Sequence, residues 1–257
     1  MKVKNILFTK APTVSKNDLA VRARALMRQY NVRALPVFDD SKLVGVITRS
    51  DLIKITSSKS NMTVGGLLWK PLITLNADED IIKAAKILIR EDLKQIPILE
   101  NGKYIGMIRD IDIMQRILDL KLKPNKKTVG EVMTPRVKAF SVDDEIEKVW
   151  GAVREHSGFP VMQKGKIVGI VSTKELIESK RARIEREGRA IKKPAKVGHV
   201  MRIIIGDEER FLIRSSEPIE KAIRKMLDAE LSVLPVAESH EKLVGIVTRK
   251  DLLKAYI

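Results

Sequence analysis

Cysteine is absent from the 257 residues, which excludes disulfides, thiol nucleophiles and thiolate metal sites together. Histidine is scarce. His156, His199 and His240 are scattered and form no HxxxH or HxH spacing, which argues against a metal centre. Aromatic residues make up 4% of the chain, too few for a surface that stacks on the successive bases of a single strand. Trp69 and Trp150 are expected to be packed. No apolar run approaches the ~18 residues of a membrane helix, and the apolar stretch of MKVKNILFTK is too short for a secretory signal. The expectation is a soluble, cytoplasmic protein with no membrane partner. A Walker loop, a dinucleotide glycine fingerprint and a nucleophile–base pair are missing as well, so the chain does not read as an enzyme.

What is plentiful is positive charge. The chain carries 49 basic against 33 acidic residues, a net charge of +16. The excess is shared, +9 on residues 1–123 and +7 on residues 124–257. Such an excess favours polyanions or phosphate-bearing ligands by long-range attraction. It equally suits the Lys/Glu-rich surface of a heat-adapted protein.

The second abundant feature is repetition. Around Pro36 the chain reads ALPVFDDSKLVGVITRSDLIK, and around Pro97 QIPILENGKYIGMIRDIDIMQ. Around Pro160 it reads GFPVMQKGKIVGIVSTKELIE, and around Pro235 VLPVAESHEKLVGIVTRKDLL. Gly45, Gly106, Gly169 and Gly245 follow their prolines by 9, 9, 9 and 10 residues, and an acid stands six residues beyond each: Asp51, Asp112, Glu175 and Asp251. The prolines are 61, 63 and 75 residues apart, longer than the common solenoid periods of roughly 20 to 45 residues. A unit of this size is marginal alone, so four units suggest two pairs.

Each unit opens on a short apolar segment: VKNILF at 3–8, VGGLLW at 64–69, VGEVM at 129–133 and VGHVM at 197–201. A helix follows, starting near Asn17, Asn76, Ser141 and Ser215 or Ser216. Pro218 stands inside the first turn, where a missing N–H costs little. Apolar stripes recur at helical spacing: Leu19, Val21, Ala25 and Leu26, then Ile81, Ala84, Ala85, Leu88 and Ile89. In the third and fourth units they are Ile146, Val149, Trp150 and Val153, then Ile219, Ala222, Ile223, Met226 and Leu227. Next come a proline-bearing strand, a turn and a glycine-bearing strand. Asn101-Gly102 marks a hairpin, since both residues tolerate positive φ. A second helix begins near each acid. Residues 119–127 read as the link between halves. Residues 174–196, with nine basic and four acidic residues, lengthen the third period as an extended closing helix and a basic stretch, ended by Gly188 and Pro194. MRIIIGDEERFLI at 201–213 reads as an extra hairpin about Gly206-Asp207.

With four in-register copies of an apolar-Pro-Val strand, a Gly-x-Ile/Val strand and a Ser/Thr-x-x-Asp at the last helix, the chain resembles CBS domains over nearly its whole length. The resemblance implies a mixed α/β (α+β) fold of four β-α-β-β-α repeats, arranged as two pseudo-twofold Bateman modules. The repeats are 1–59 and 60–123 in the first module, then 124–180 and 197–257 in the second, with 181–196 a basic linker. The layout is similar to that of the γ subunit of AMP-activated protein kinase, and in such proteins two modules often pack as a disc. A disc can close within one chain or by homodimerisation, and the sequence leaves both open.

The resemblance further implies sensing of an adenine nucleotide or adenosyl ligand as effector, with no cofactor required. The acid would take the ribose hydroxyls and the preceding Ser/Thr would face the phosphate. This assigns Thr48 and Asp51, and Thr248 and Asp251, first, then unit two, and last Ser172 and Glu175, where the longer acid would shift the sugar. Unit two offers Arg109 and Asp112. Arg109 could hold a phosphate bidentately, or pair with Asp110 or Asp112 and close the site. Arg49 and Arg249 would add positive charge nearby. The same Thr/Ser-x-x-Asp/Glu spacing is also a capping box, which needs no ligand.

Two functions compete. One is a regulatory module that binds an adenosine-type ligand and signals to a regulated protein in trans. The other is an RNA- or ribosome-associated protein that uses basic surface for phosphate and shape contacts.

Overall fold

The computed structural model describes residues 1–52, 60–69, 71–153, 156–178 and 195–257. Of the extended helix and basic stretch expected at 174–196, with the linker at 181–196, residues 179–194 lie outside the described residues. Two compact units divide the chain. One is built mainly from Met1–Asp112, the other from Ile113–Leu176 and residues 195–257.

The four repeats share one plan. In the first, strand β1 (Val14–Ser15) leads to helix α1 (Ala20–Gln29), then to the hairpin β2 (Ala34–Asp39) and β3 (Lys42–Thr48) and the short helix α2 (Arg49–Leu52). In the second, β4 (Leu75–Asn76), α3 (Ile81–Arg90), β5 (Gln95–Glu100), β6 (Lys103–Arg109) and α4 (Asp110–Asp119) follow in the same order. The third comprises β7 (Thr134–Pro135), β8 (Phe140–Ser141), α5 (Ile146–Ala152), β9 (Gly158–Gln163), β10 (Lys166–Ser172) and α6 (Thr173–Glu178). The fourth comprises β11 (Arg202–Ile203), α7 (Glu208–Phe211), α8 (Ile219–Asp228), β12 (Val233–Ser239), β13 (Lys242–Thr248) and α9 (Arg249–Lys254).

Local chemistry accounts for the hairpins. Asn101 and Gly102 take φ 49° and 77°, and Lys164 and Gly165 take 48° and 79°, the left-handed pair that a two-residue turn of matching twist requires. The antiparallel register shifts next to Gly45, Gly106, Gly169 and Gly245 alike. At these glycines the companion repeat of the same unit crosses the sheet. A Cβ on Gly169 would stand 2.8 Å from the Arg202 carbonyl oxygen. On Gly245 it would run into the carbonyl of Thr134, and on Gly45 it would meet the Leu68 side chain.

The crossing segments are the apolar openings of the repeats, each a 3-10 turn at its start. Val3, Val64, Val129 and Val197 are fully buried. Each opening docks on the companion repeat by the same pair of backbone bonds. Val64 and Gly65 donate to Asp18 and Lys16 at 2.8 and 2.7 Å, and Val3 and Lys4 donate to Glu79 and Ala77 at 2.8 and 3.1 Å. Val129 and Gly130 donate to Glu217 and Ser215 at 2.9 and 2.8 Å, and Val197 and Gly198 to Asp144 and Val142, both at 2.9 Å. Val64 and Leu67 thereby enter the core of the first repeat, with Ala20, Ala23, Met27, Leu35, Val37, Ile47 and Leu52. In the second unit the exchange goes further. β11 adds to β10, and β7 adds to β13.

Several sequence expectations shift. The first helix of each repeat begins at Ala20, Ile81, Ile146 and Ile219, not at the polar residues upstream. Asn76 and Ser141 end a short parallel strand, and Asn17, Ser215 and Ser216 lie in a turn. The backbone N–H groups of Ser15, Ser141 and Arg214 donate to the Asp18, Asp144 and Glu217 carboxylates three residues on, at 3.0, 2.7 and 2.9 Å respectively. Asp80, rather than Asn76, caps α3 by accepting from Ile82. The buried face of α1 is Ala20, Ala23, Arg24 and Met27, one position off the expected stripe. Small alanines on both faces hide its phase. The 201–213 insertion is not a hairpin: β11 pairs with β10 and α7 follows Gly206.

Candidate ligand site

Each glycine-bearing strand delivers its Thr, Ser or Arg to the start of a closing helix, and the acid three residues on turns back toward it. In repeat one Asp51 Oδ2 accepts from the Thr48 N–H at 2.8 Å and from the Thr48 hydroxyl at 2.6 Å. In repeat four Asp251 Oδ2 accepts from the same two groups of Thr248 at 3.1 and 2.7 Å, completing a capping box. In repeat three Glu175 Oε2 accepts from the Ser172 N–H at 3.0 Å and from the Ser172 hydroxyl. Capping therefore occupies one carboxylate oxygen and leaves the other to a further partner.

The four outer oxygens differ. Asp51 Oδ1 accepts from the Trp69 indole N–H at 3.2 Å. Asp251 Oδ1 has Lys254 at 3.6 Å, a side chain half exposed to solvent. Glu175 Oε1 faces Arg202 Nε at 3.4 Å. Asp112 is held at both oxygens by Arg109, with Nε to Oδ2 at 2.8 Å and Nη2 to Oδ1 at 2.6 Å. Of the two roles open to Arg109, the structure shows the pairing with Asp112. Its guanidinium also lies over the Phe8 ring, 3.7 Å from the centroid, a favourable cation–π placement.

Arg49 and Arg249 do not face these carboxylates. Both are buried, and their Nε atoms donate to the Val32 and Leu231 carbonyls at 3.1 and 2.7 Å. They satisfy backbone acceptors in the loop that follows the first helix of their repeats. Trp69 is not packed either: it is 66% exposed. Trp150 is half-buried, and its indole nitrogen has no hydrogen-bond partner among the described residues.

Sequence reasoning missed Trp69 and Arg202 as neighbours of the acids. A signal was there. Phe8, Trp69, Thr134 and Arg202 each stand five residues after the buried valine of their opening segment. The exchange carries Trp69 to Asp51, Arg202 to Glu175 and Phe8 to Arg109, and seats Thr134 beside Gly245, six residues before Asp251.

This fourfold arrangement matches a known family profile, the CBS domain, at residues 3–58, 64–119, 129–181 and 197–257. The chain belongs to the CBS-domain family. Among related CBS-domain proteins, the uncharacterized protein MJ1404 of Methanocaldococcus jannaschii is 31% identical over 137 residues, 47% of this chain and 32% of that one. The chain thus spans about a third of that relative's length. The protein MJ1225 of the same organism, put forward as an archaeal homologue of g-AMPK, superposes over 100% of both chains with a TM-score of 0.83 at 21% identity. An uncharacterized conserved protein from Pyrococcus horikoshii superposes over 100% of both with a TM-score of 0.66 at 20% identity. At these identities the likeness is one of fold: four CBS repeats in small mixed sheets. Among the described residues no helix is long and apolar enough to cross a membrane.

Proposed function

We propose that this CBS-domain protein is a non-enzymatic regulator that binds an adenosine-type ligand (AMP, ADP, ATP or a related compound) between paired repeats and signals to a partner in trans. One observation carries the reading. At Asp51 and Asp251 capping uses a single carboxylate oxygen, and among the described residues the outer oxygen meets an exposed indole N–H or a lysine at 3.6 Å. An ionised carboxylate so placed is an acceptor for paired ribose hydroxyls, a stronger interaction than one between neutral groups. Thr48 and Thr248 lie beside it, and the net charge of +16 draws phosphate-bearing ligands.

Calorimetric titration of AMP, ADP, ATP and adenosine at two salt concentrations tests the proposal. Asp51→Ala and Asp251→Ala should each weaken adenosine binding at its own position by about ten- to a hundredfold, the loss of a charge-assisted hydrogen bond. Binding that ignores the base, survives both substitutions and disappears with salt would reduce the carboxylates to helix caps. It would favour the RNA or ribosomal partner, whose affinity also falls steeply with salt.

A further inference from the structure

We infer that only two of the four carboxylates, Asp51 and Asp251, are available to a ligand diol, one in each unit. Asp112 and Glu175 are occupied by arginines of this chain. The inference rests on the ribose-binding reading above and assigns it to particular repeats.

The geometry at the outer oxygens separates the repeats. Arg109 grips Asp112 with two nitrogens at 2.8 and 2.6 Å, the planar fork that matches a carboxylate best. Phe8 stacks on the other side of that guanidinium at 3.7 Å. Arg202 faces Glu175 at 3.4 Å through Nε, while its Nη1 donates to the Ala229 carbonyl at 2.7 Å. Each arginine is thus fixed by a second contact that a ligand at the carboxylate would not replace. A diol arriving at either acid must break a charge-assisted pair and leave a guanidinium without its counter-ion, which opposes binding.

At Asp51 a diol displaces one neutral N–H from an indole that already faces solvent. At Asp251 it displaces a loosely placed lysine. The residue five beyond the opening valine, supplied by the companion repeat, sets this difference. Arg202 blocks directly, Phe8 blocks by pinning Arg109, Trp69 offers a neutral donor, and Thr134 is short. Occupancy of a repeat is therefore written largely in its companion.

The probe is adenosine, with 2′,3′-dideoxyadenosine as the control that lacks the diol and neither molecule carrying phosphate. Wild type should bind two adenosines per chain. Asp51→Ala and Asp251→Ala should each remove one, and Asp112→Ala and Glu175→Ala should leave the stoichiometry at two. Arg109→Thr rebuilds Thr-x-x-Asp in repeat two and should raise the stoichiometry to three, with the added site lost again on combination with Asp112→Ala. Three or four adenosines on wild type, or a site lost in the Asp112→Ala or Glu175→Ala protein, overturns the inference while leaving the ribose reading intact. Equal binding of dideoxyadenosine, or no binding of adenosine, overturns both. If Arg109→Thr fails to fold by circular dichroism, the four alanine variants still decide the matter.

Discussion

The two units exchange their opening segments by the same backbone bonds yet finish the exchange differently. In the second unit the segments continue as strands. Thr134–Pro135 joins β13 and Arg202–Ile203 joins β10. In the first unit the contact at Gly45 is made by the Leu68 side chain, and on the other side Phe8 and Met107 exchange two backbone bonds of 2.8 and 3.0 Å. The same repeat grammar thus produces a backbone seam in one unit and a partly side-chain seam in the other. The seam also decides what reaches the carboxylate. A continued strand brings Arg202 to Glu175, whereas in the first unit the exposed indole of Trp69 donates its N–H to Asp51.

The largest effect should come from attacking the seam where backbone meets backbone. Gly245→Ala sets a Cβ against the Thr134 carbonyl and should cost about 3 kcal/mol, the upper range for overpacking. The check is urea unfolding, followed by circular dichroism. Gly45→Ala meets only the flexible end of Leu68 and should cost about 1 kcal/mol in the same measurement. Equal losses would mean that the two seams are mechanically alike.

Next in size is a ligand effect on the first unit. Trp69→Phe removes the N–H bonded to Asp51 Oδ1 and keeps an aromatic ring. Adenosine affinity should change by less than about threefold, since the bond is exposed to solvent and its loss only frees an oxygen that the ligand hydroxyls take up. The change in tryptophan emission on titration should disappear, because Trp69 is the tryptophan at the ligand's carboxylate. A retained emission change would place the ligand elsewhere.

The smallest effect concerns charge at the first opening segment. There charge supplements the backbone bonds, as Lys196 and Asp143 do at 3.0 Å in the fourth: Lys2 and Lys4 lie 2.8 and 2.9 Å from Asp78, and the N-terminal ammonium lies 2.6 Å from Asp80. Lys2, then Lys4, lowers the Asp78 carboxyl from its ordinary 3.8 to about 2. A carboxyl held ionised in the fold stabilises it above the unfolded value and loses that contribution as pH falls from about 4 to about 2. Asp78→Asn should therefore lower Tm slightly at neutral pH, and the difference from wild type should vanish as pH falls through that window. The groups are exposed, so added salt should shrink the difference further.

Much of this was legible in the chain because repetition averages out local ambiguity. Four prolines, four glycines and four acids in register define the hairpins and the closing helices, and Asn101-Gly102 specifies its own turn. Helix starts lie several residues downstream because Asn17, Asn76 and Ser141 are good caps by type, yet are held in strand or turn geometry. Trp69 reads as core by its hydrophobicity. Arg49 and Arg249 read as ligand cations by their place next to the acids, whereas in the structure both donate to carbonyls of the loop after a helix. What sequence reasoning could not supply is long-range pairing. Nothing local says that Arg202 meets Glu175, although the fixed offset from the buried valine carries that information once the exchange is known.

The exchange of openings also bears on how such a chain can be inherited and cut. The docking of Val64 into the first repeat and of Val3 against the second makes either repeat incomplete without the other. A duplication or deletion of one repeat would leave an unfilled valine socket and an unpaired opening, while copying a pair leaves none. Division at the Pro124 link between halves keeps every docked valine with its socket. Division within a pair severs two. The heritable module of this protein is therefore the pair of repeats, and single repeats are its halves rather than its building blocks.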